Sequence, residues 1–355
     1  MVDVNKTIFD LAEGDAPLLT DLAFNGQDPL GVPVLRRTFW STIRNLFMGT
    51  PSAAYDFSIS LDGSTFSKQT LAQTQTLLTL LTPGGRLTLE SGVPVSTTDQ
   101  VDKTTLYYTP HIHNRVPIYN GTIWESLVFA ELSLDISAYT ASKPYDIWIY
   151  NNAGTATLDS TVWTNATTRA TALVYQDGRL VKSGATTRLY LGTIYMDAAS
   201  KCQDTVSLRY VWNYYNRKIK SLFCTETTDN WTYTTATWRA TNNNTTNGVG
   251  RVSAVIGVAE DISKFISQYI VNNTTGAYAS GGIGINSTSV NSAQLCGSEA
   301  VTSRPSSQGL YSGILPVGLN YIQRLEISSA SGTTYWYGDN NLAYWATGML
   351  GEILA

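Results

Sequence analysis

The sequence predicts an all-β protein, and three observations lead to this expectation. Charged residues make up only 14% of the 355-residue chain, against about 25% in an average soluble protein. Thr, Ser, Asn and Tyr are abundant, and β-branched or aromatic side chains of this kind favour half-buried pleated surfaces. From Thr104 onward, turn signals recur about every ten residues, a spacing typical of sandwiches and barrels. We therefore expect strands through most of the chain.

Composition excludes several classes of protein. The formal net charge of −4 and a pI near 5.2 provide no basic surface, so nucleic-acid binding is not expected. Cys202, Cys224 and Cys296 are odd in number and widely spaced, which predicts buried thiols in a reducing cytoplasm rather than disulfides or a zinc site. The first residues lack an apolar signal-peptide core, and no apolar run is long enough to cross a membrane. We expect a soluble protein without membrane insertion, without a signal peptide and without a cofactor.

Residues 1–50 differ from the rest of the chain. A stretch rich in Gly and Pro, residues 25–33, precedes a short helix that Thr38 can cap and Gly49 ends. A helix of about ten residues is marginal alone, so its apolar side must dock either on this chain or on another protein. That side is formed by Phe39, Ile43, Leu46 and Phe47.

Residues 51–100 are predicted to connect this segment to the β domains. Strands are expected around Asp62-Gly63, followed by a repetitive Thr/Gln/Leu stretch at residues 71–81 that Pro83-Gly84-Gly85 ends. The stretch fits neither a period of two nor one of 3.6. It is interpreted as a connector or stalk, or equally as an ordinary helix or strand packed on the next domain.

Residues 101–212 are predicted to form one β domain built from hairpins. Asn-Gly and Asp-Gly pairs supply the positive φ angles that tight turns require. The expected turns are Asn120-Gly121 after Val116–Tyr119, Asn152-Ala153-Gly154 after Asp146–Tyr150, and Asp177-Gly178 after Ala172–Tyr175, with a further strand at Arg188–Ile194.

Residues 213–355 are predicted to form a second β domain. Ala259-Glu260-Asp261 precedes either a strand or a helix through Phe265 and Tyr269, and the strand is favoured. The alternating runs Gly318–Ile327 and Thr333–Tyr337 around Ser331-Gly332 predict a β-hairpin. The final apolar stretch, Tyr344–Leu354, predicts a strand whose edge needs a cover. A partner subunit is the simplest cover.

Two parts of the sequence resemble a known class of protein. The C-terminal passage resembles the end of the jelly-roll domain of trimeric fibre and spike proteins of tailed bacteriophages. Thr105–Pro110, Thr167–Leu173 and Tyr190–Ile194 resemble a module that recurs in phage fibre and tail-associated proteins. The resemblance implies a homotrimer with a C-terminal jelly roll, located in the virion and anchored to other virion proteins through residues 1–50.

The function that this resemblance implies is attachment and display, as a fibre, spike or head-decoration protein that meets the host surface. A tailspike polysaccharide depolymerase and a pure capsid-cement or adaptor protein are the alternatives. A glycan hydrolase needs two carboxylates facing one cleft, and no enzyme is predicted because the available ones occur in no diagnostic motif. They are Glu125, Glu131, Asp135, Asp146, Glu260, Asp261 and Asp339.

The densest group of aromatic residues is the candidate ligand site. Tyr and Trp rings stack on sugars and carry a polar group, and amide-rich loops such as Asn242–Asn244 suit glycan recognition. Packing in a core or between subunits is the alternative for each ring. The predicted contacts are Tyr335, Trp336, Tyr337, Asp339 and Asn340.

His111 and His113 are the only histidines. Their spacing puts both imidazoles on one side of a strand, so three copies near a trimer axis could offer six nitrogens to a transition metal. We favour a hydrogen-bonded pair without metal, because nothing else marks an axial position.

Overall fold

A computed structural model describes residues 82–299, 303–342 and 344–355, together with two strands nearer the N-terminus. These are β1 (Phe57–Ser60) and β2 (Phe66–Gln69), which pair antiparallel. They come before and after Asp62-Gly63 in the sequence, where strands are predicted. They belong to a unit formed by residues 1–78, and residues 79–355 form a second compact unit. Two predictions lie outside the described residues: the helix through Phe39, Ile43, Leu46 and Phe47, and the stretch 71–81.

The second unit is all-β, which confirms the predicted fold class. Its described part contains no helix long and apolar enough to span a membrane. Its first strands are β3 (Gly85–Thr88), β4 (Gln100–Lys103), β5 (Thr105–Pro110), β6 (Arg115–Tyr119), β7 (Trp124–Val128), β8 (Leu132–Asp135), β9 (Pro144–Asn152), β10 (Thr155–Val162), β11 (Leu173–Gln176), β12 (Arg179–Lys182), β13 (Ala185–Tyr195), β14 (Cys202–Asp204), β15 (Leu208–Arg209) and β16 (Val211–Asn213).

Further strands and two short 3-10 turns complete the described part of this unit. The strands are β17 (Ile219–Thr225), β18 (Asn230–Thr232), β19 (Arg239–Ala240), β20 (Arg251–Ile256), β21 (Ile262–Asn273), β22 (Tyr278–Ile285), β23 (Leu295–Glu299), β24 (Ser306–Ile314), β25 (Gly318–Ser328), β26 (Thr334–Tyr337) and β27 (Gly348–Leu354). The 3-10 turns are Thr241–Asn243 and Asn340–Leu342. The strand favoured after Asp261 is confirmed as β21, and the helix alternative is wrong.

The predicted hairpins of the first β region are confirmed. β6 pairs with β7, β9 with β10, and β11 with β12. Ala153-Gly154 has φ angles of 49° and 92°, and Asp177-Gly178 has 49° and 77°, so both pairs form tight turns with left-handed residues. Sheet order is β10-β9-β13-β12-β11, with β16 also on β13. Two small sheets, β3-β5-β8 and β6-β7, complete this region.

The remaining strands form one sheet of 14 strands that folds over on itself. One layer contains β4, β14, β15, β20, β19, β25 and β22, and the other contains β17, β27, β21, β24, β26 and β18. β23 pairs with β22 of the first layer and β24 of the second, so it joins them. The Tyr269 hydroxyl on β21 donates to the Gly282 carbonyl on β22, which shows that the layers pack face to face as a sandwich.

The C-terminal strands exist as predicted, but their pairing differs. β25 pairs with β19, β20 and β22, whereas β26 pairs with β18 and β21. The predicted hairpin is therefore wrong, because the chain crosses from one layer to the other between these strands. The last strand, β27, lies between β17 and β21. Both of its edges are paired within this chain, so it needs no partner subunit as a cover.

The hydrophobic core is continuous through most of the second unit. One buried cluster extends from Leu87 to Ala355, and a small second cluster contains Tyr269, Val271, Ala279 and Trp336. β16, at Val211–Asn213, runs across the predicted boundary between residues 212 and 213. Of the cysteines, Cys202 and Cys224 are buried free thiols as expected, whereas Cys296 is exposed.

Candidate functional site

The predicted ligand residues of β26 point to opposite sides of the sheet. Successive side chains of a strand alternate between its two faces, so Tyr335 and Tyr337 face outward and Trp336 faces inward. Tyr335 is 36% exposed and Trp336 is 0% exposed. The Trp336 ring packs edge-on against Tyr269, with centroids 6.0 Å apart, and its Nε1 donates to the Tyr233 carbonyl. Trp336 is therefore a core residue, and its ring is not available to a ligand.

Asp339 and Asn340 shape the loop that follows β26. Asp339 is only 9% exposed, and its Oδ1 accepts the backbone N–H of Asn341 at 3.1 Å. Asn340 and Asn341 have φ angles of 45° and 53°, a left-handed conformation that Asn tolerates better than most residues. Asp339 thus holds the loop in place, whereas the neighbouring Asn341 is exposed to solvent.

An aromatic cluster with one cation lies on the outer surface beside this loop. We define it as Tyr337, Tyr344, Trp345 and Arg304. Tyr344 is 85% exposed. Trp345 lies 5.9 Å from Tyr337 and 6.3 Å from Tyr344, measured between ring centroids. The Arg304 guanidinium lies 4.4 Å from the Tyr337 centroid and 5.2 Å from that of Trp345. The cluster combines flat apolar rings with hydrogen-bond donors.

The two amide-rich loops meet at one segment of the chain, next to the aromatic cluster. Asn242 Nδ2 donates to Thr228 Oγ1 at 3.0 Å, and the backbone N–H of Asn341 donates to Asp229 Oδ1 at 3.2 Å. Thr228 and Asp229 are both exposed. The surface therefore offers amide, hydroxyl and carboxylate groups within reach of aromatic rings.

The buried carboxylate of Glu326 accepts a hydrogen bond from the backbone of the loop that contains Asn242. Glu326 is 0% exposed and accepts hydrogen bonds from Trp231 Nε1 and Arg239 Nε, both at 2.8 Å, and from the Asn242 backbone N–H at 3.2 Å. Burial raises the pKa of Glu326 to about 6, although the charge of Arg239 and these hydrogen bonds favour the ionised form. The loop backbone is thus fixed by the protein interior and not only by surface contacts.

Sequence reasoning identified part of this surface. It found Tyr335, Tyr337 and the two amide loops, but it did not bring the loops together. Tyr344 and Trp345 are neighbours in the sequence, but the apolar pattern assigns them to the terminal strand, which begins only at Gly348. Arg304, Thr228 and Asp229 carry no sequence signal, because only the folding of the second layer places them here.

The carboxylates considered for catalysis have structural partners. Asp146 pairs with Arg169, and Glu260 and Asp261 both pair with Arg217. The remaining four accept hydrogen bonds from nearby groups: Glu125 from Asn120 and Asn151, Glu131 from Ser91, Gly92 and Thr109, Asp135 from Ser137, and Asp339 from Asn341.

The two histidines lie in the bend between β5 and β6, not on a strand. The expectation that both imidazoles share one side of a strand is therefore wrong. His113 Nδ1 accepts the backbone N–H of Arg115 at 3.2 Å. The pKa of His111 is lowered by burial and by the charges of Lys218 and Arg86. Among the described residues, no three or more His, Cys, Asp and Glu side chains are grouped so as to hold a metal ion.

Comparisons with known proteins identify no family. No protein-family model and no curated protein matches the chain. Among solved structures, it is similar to dimeric latent PorU from Porphyromonas gingivalis, with 8% identity, 61% of this chain and 20% of that chain covered, and a TM-score of 0.25. A β-porphyranase of glycoside hydrolase family 86 from Bacteroides plebeius gives 9% identity, 84% and 44% coverage, and a TM-score of 0.22.

An exo-β-1,3-galactanase from Phanerochaete chrysosporium gives 10% identity, 77% and 69% coverage, and a TM-score of 0.19. The chain thus spans about a fifth of PorU and less than half of the porphyranase. Likenesses at these TM-scores establish neither a shared fold nor a shared activity.

Proposed function

We propose that this protein is a virion structural protein of a tailed phage, a fibre, spike or head-decoration protein that attaches to the host by binding a surface glycan without cleaving it. The observation that carries the glycan part is the aromatic cluster beside the converging amide loops. A sugar ring presents an apolar C–H face for stacking and a rim of hydroxyls for hydrogen bonds. The surface around Tyr344 and Asn341 offers a partner for each.

Tyr344 is the principal stacking residue in this proposal. Its ring is 85% exposed, so a sugar can cover it without any rearrangement of the fold. Trp345 lies beside Tyr344, and Arg304 lies over Trp345. The exposed amide of Asn341 can donate to and accept from the hydroxyls of a sugar ring. The virion location and the anchoring role of residues 1–50 rest on the resemblance to phage fibre proteins.

Attachment at weak individual sites requires more than one copy on the particle, because linked sites raise the overall affinity. A homotrimer is the arrangement that the resemblance implies. β27 pairs with both β17 and β21. It therefore has no exposed edge that a trimer would need to cover. The proposed function therefore needs several copies but does not depend on three.

The test compares Tyr344→Ala and Asn341→Gly, which removes the amide but tolerates the left-handed backbone at this position, with a matched control, Tyr175→Ala. Tyr175 is 68% exposed and lies on β11, in a different sheet. We expect binding to purified host polysaccharide, measured by calorimetry, to weaken at least tenfold in the first two variants and to stay unchanged in the control. All three should keep the melting temperature of the parent. Equal binding in all variants would remove this surface from the proposal.

A second measurement separates binding from cleavage. The parent protein is incubated with the same polysaccharide, and new reducing ends are measured over time. No increase is expected from a binding protein. A steady release of oligosaccharide would instead favour the depolymerase alternative.

A further inference from the structure

The outer face of the second layer carries a row of apolar side chains that crosses five neighbouring strands. In the registered pairs, Phe223 lies opposite Leu350, Leu350 opposite Ile266, Ile266 opposite Leu310, and Leu310 opposite Leu295. The strands are β17, β27, β21, β24 and β23. We call these five residues the apolar ladder.

The ladder faces solvent within the described part of the chain. Leu295 is 65%, Leu350 58%, Ile266 47% and Phe223 43% exposed, and Leu310 is half-buried. Their chain neighbours, such as Phe265 and Met349, are each 1% exposed, so strand alternation fixes the ladder on the outside. Single exposed apolar residues are ordinary, but a contiguous apolar row marks an interaction surface.

The row next to the ladder carries opposite charges side by side. Lys264 on β21 pairs in register with Glu352 on β27, and both are exposed. Ser312 and Ser221 continue this row on either side. This charge pattern is self-complementary. A two-fold axis that runs parallel to the strands, between β27 and β21, places Lys264 of one copy at the position opposite Glu352 of the other.

We propose that a second copy of this chain docks face to face on the apolar ladder through this two-fold axis. The axis places Lys264 of each copy opposite Glu352 of the other, and Ile266 opposite Leu350. A two-fold interface requires such self-complementarity, because the same patch meets itself. This inference goes beyond the proposed function and rests on different residues.

The same axis places an aromatic side chain of one copy against an apolar groove of the other. It places Phe223 opposite Leu310 of the second copy. A shallow groove of about 380 Å³ lies there, lined by Ile266, Leu310 and Leu295 among others. An aromatic side chain that fills an apolar groove is the usual centre of a stable interface.

The size of the face suits a weak to moderate dimer. The axis overlaps four strands, β17, β27, β21 and β24, which form a strip roughly 19 Å wide at about 4.8 Å per strand, and β21 from Ile262 to Ile270 runs roughly 26 Å, which gives a flat area of roughly 500 Å² per copy. Two copies bury roughly 1,000 Å² in total, about the lower limit for a specific interface.

The first test uses light scattering on the full-length protein at micromolar concentration. The parent should contain two chains. Leu350→Arg should weaken self-association at least tenfold, because it buries a charge in the centre of the ladder. Val128→Arg is the matched control, since Val128 is 56% exposed on β7 in another sheet, and it should remain dimeric. A monomeric parent, three copies, or a dimer that survives Leu350→Arg would overturn the proposal.

The second test uses the charges. Lys264→Glu and Glu352→Lys should each be monomeric, because each places like charges opposite one another. An equal mixture of the two should form a mixed dimer, since one variant is acidic and the other basic at both positions. This rescue cannot arise from unfolding of either variant. Failure of the mixture to associate would overturn the two-fold arrangement.

Discussion

Residues 144–195 and residues 262–354 are both rich in strands, but they pair in different ways. In the first region, most pairs join neighbours in sequence: β9 pairs with β10, β11 with β12, and β12 with β13, and the pairing of β13 with β9 closes the sheet. In the second, β23 pairs with its sequence neighbours β22 and β24, but β21 pairs with β24 and β27, and β22 pairs with β25. Local sequence signals specify strands in both regions, but they specify more of the partners in the first.

The links between strands explain this difference. Asp177-Gly178 forms a left-handed turn that returns the chain directly alongside β11. The link between β25 and β26 instead carries the chain from one layer to the other, because the strands on its two sides join different layers. A glycine-containing link predicts a reversal of the chain, but it does not distinguish a hairpin from a crossing between layers.

The interiors of the two regions differ as well. In the first, β9 contributes Ile147, Trp148 and Ile149, all 0% exposed, and one buried carboxylate, Asp146, which pairs with Arg169. In the second, the inner face of β25 carries Arg324 and Glu326, also 0% exposed. Arg324 donates to Ser267 Oγ on β21 at 3.2 Å and lies 4.9 Å from the Tyr269 ring centroid. Polar contacts between layers thus stabilise the second region, where the core divides into two clusters.

The largest expected effect tests whether both interiors stabilise the protein equally. Trp148 and Trp336 are both fully buried. Replacing either with alanine should therefore lower the free energy of unfolding by about 3–5 kcal/mol. Chemical denaturation provides the measurement. Tyr335→Ala, beside Trp336 on the outer face, is the control and should cost less than about 1 kcal/mol. An unchanged stability of Trp336→Ala would contradict its place in the core.

The sequence could predict the strands and hairpins because their signals are local. Asp177-Gly178 and alternating patterns act over a few residues. It could not predict the second layer, where the partners of β26 and β27 depend on contacts more than 60 residues apart, such as Trp231 with Trp336. The same limit applies to the candidate site: Tyr337 was identified, but Arg304 reaches it only through the pairing of β21 with both β24 and β26.

A smaller effect depends on pH and concerns one buried glutamate of the second region. Burial raises the pKa of Glu326 from 4.5 to about 6, so the folded state binds this proton more tightly than the unfolded state. The contribution of Glu326 to the free energy of unfolding should be highest below about pH 4.5 and should fall by about 2 kcal/mol as the pH rises through 6. Glu326→Gln should remove this slope in denaturation curves measured from pH 4 to 7.

Glu131, which directly precedes β8, has a pKa shift in the opposite direction. Burial would raise its pKa, but hydrogen bonds from Ser91, Thr109 and Gly92 outweigh burial and hold the pKa below 4.5. Its contribution is present above pH 4.5 and is lost as the pH falls through the folded value. Glu131→Gln should therefore reduce stability at pH 7 more than at pH 3. Slopes of the same sign at both glutamates would contradict this assignment.

The smallest effect compares a hairpin turn with a crossing between layers. Gly178 joins β11 to β12, and Gly276 joins β21 to β22. Their φ angles are 77° and 72°, and a methyl group at either position would meet no atom within 4 Å. Gly178→Ala and Gly276→Ala should each lower the free energy of unfolding by about 1 kcal/mol, because left-handed backbone is strained for alanine.

The folding and unfolding rates of these two variants should differ. A hairpin closes a short loop and can form early in folding, whereas a crossing needs both layers in place. Stopped-flow measurements should show slower folding for Gly178→Ala and faster unfolding for Gly276→Ala. If both substitutions change the folding rate alike, the layers assemble together with the hairpins, and the contrast between the two regions exists only in the final structure.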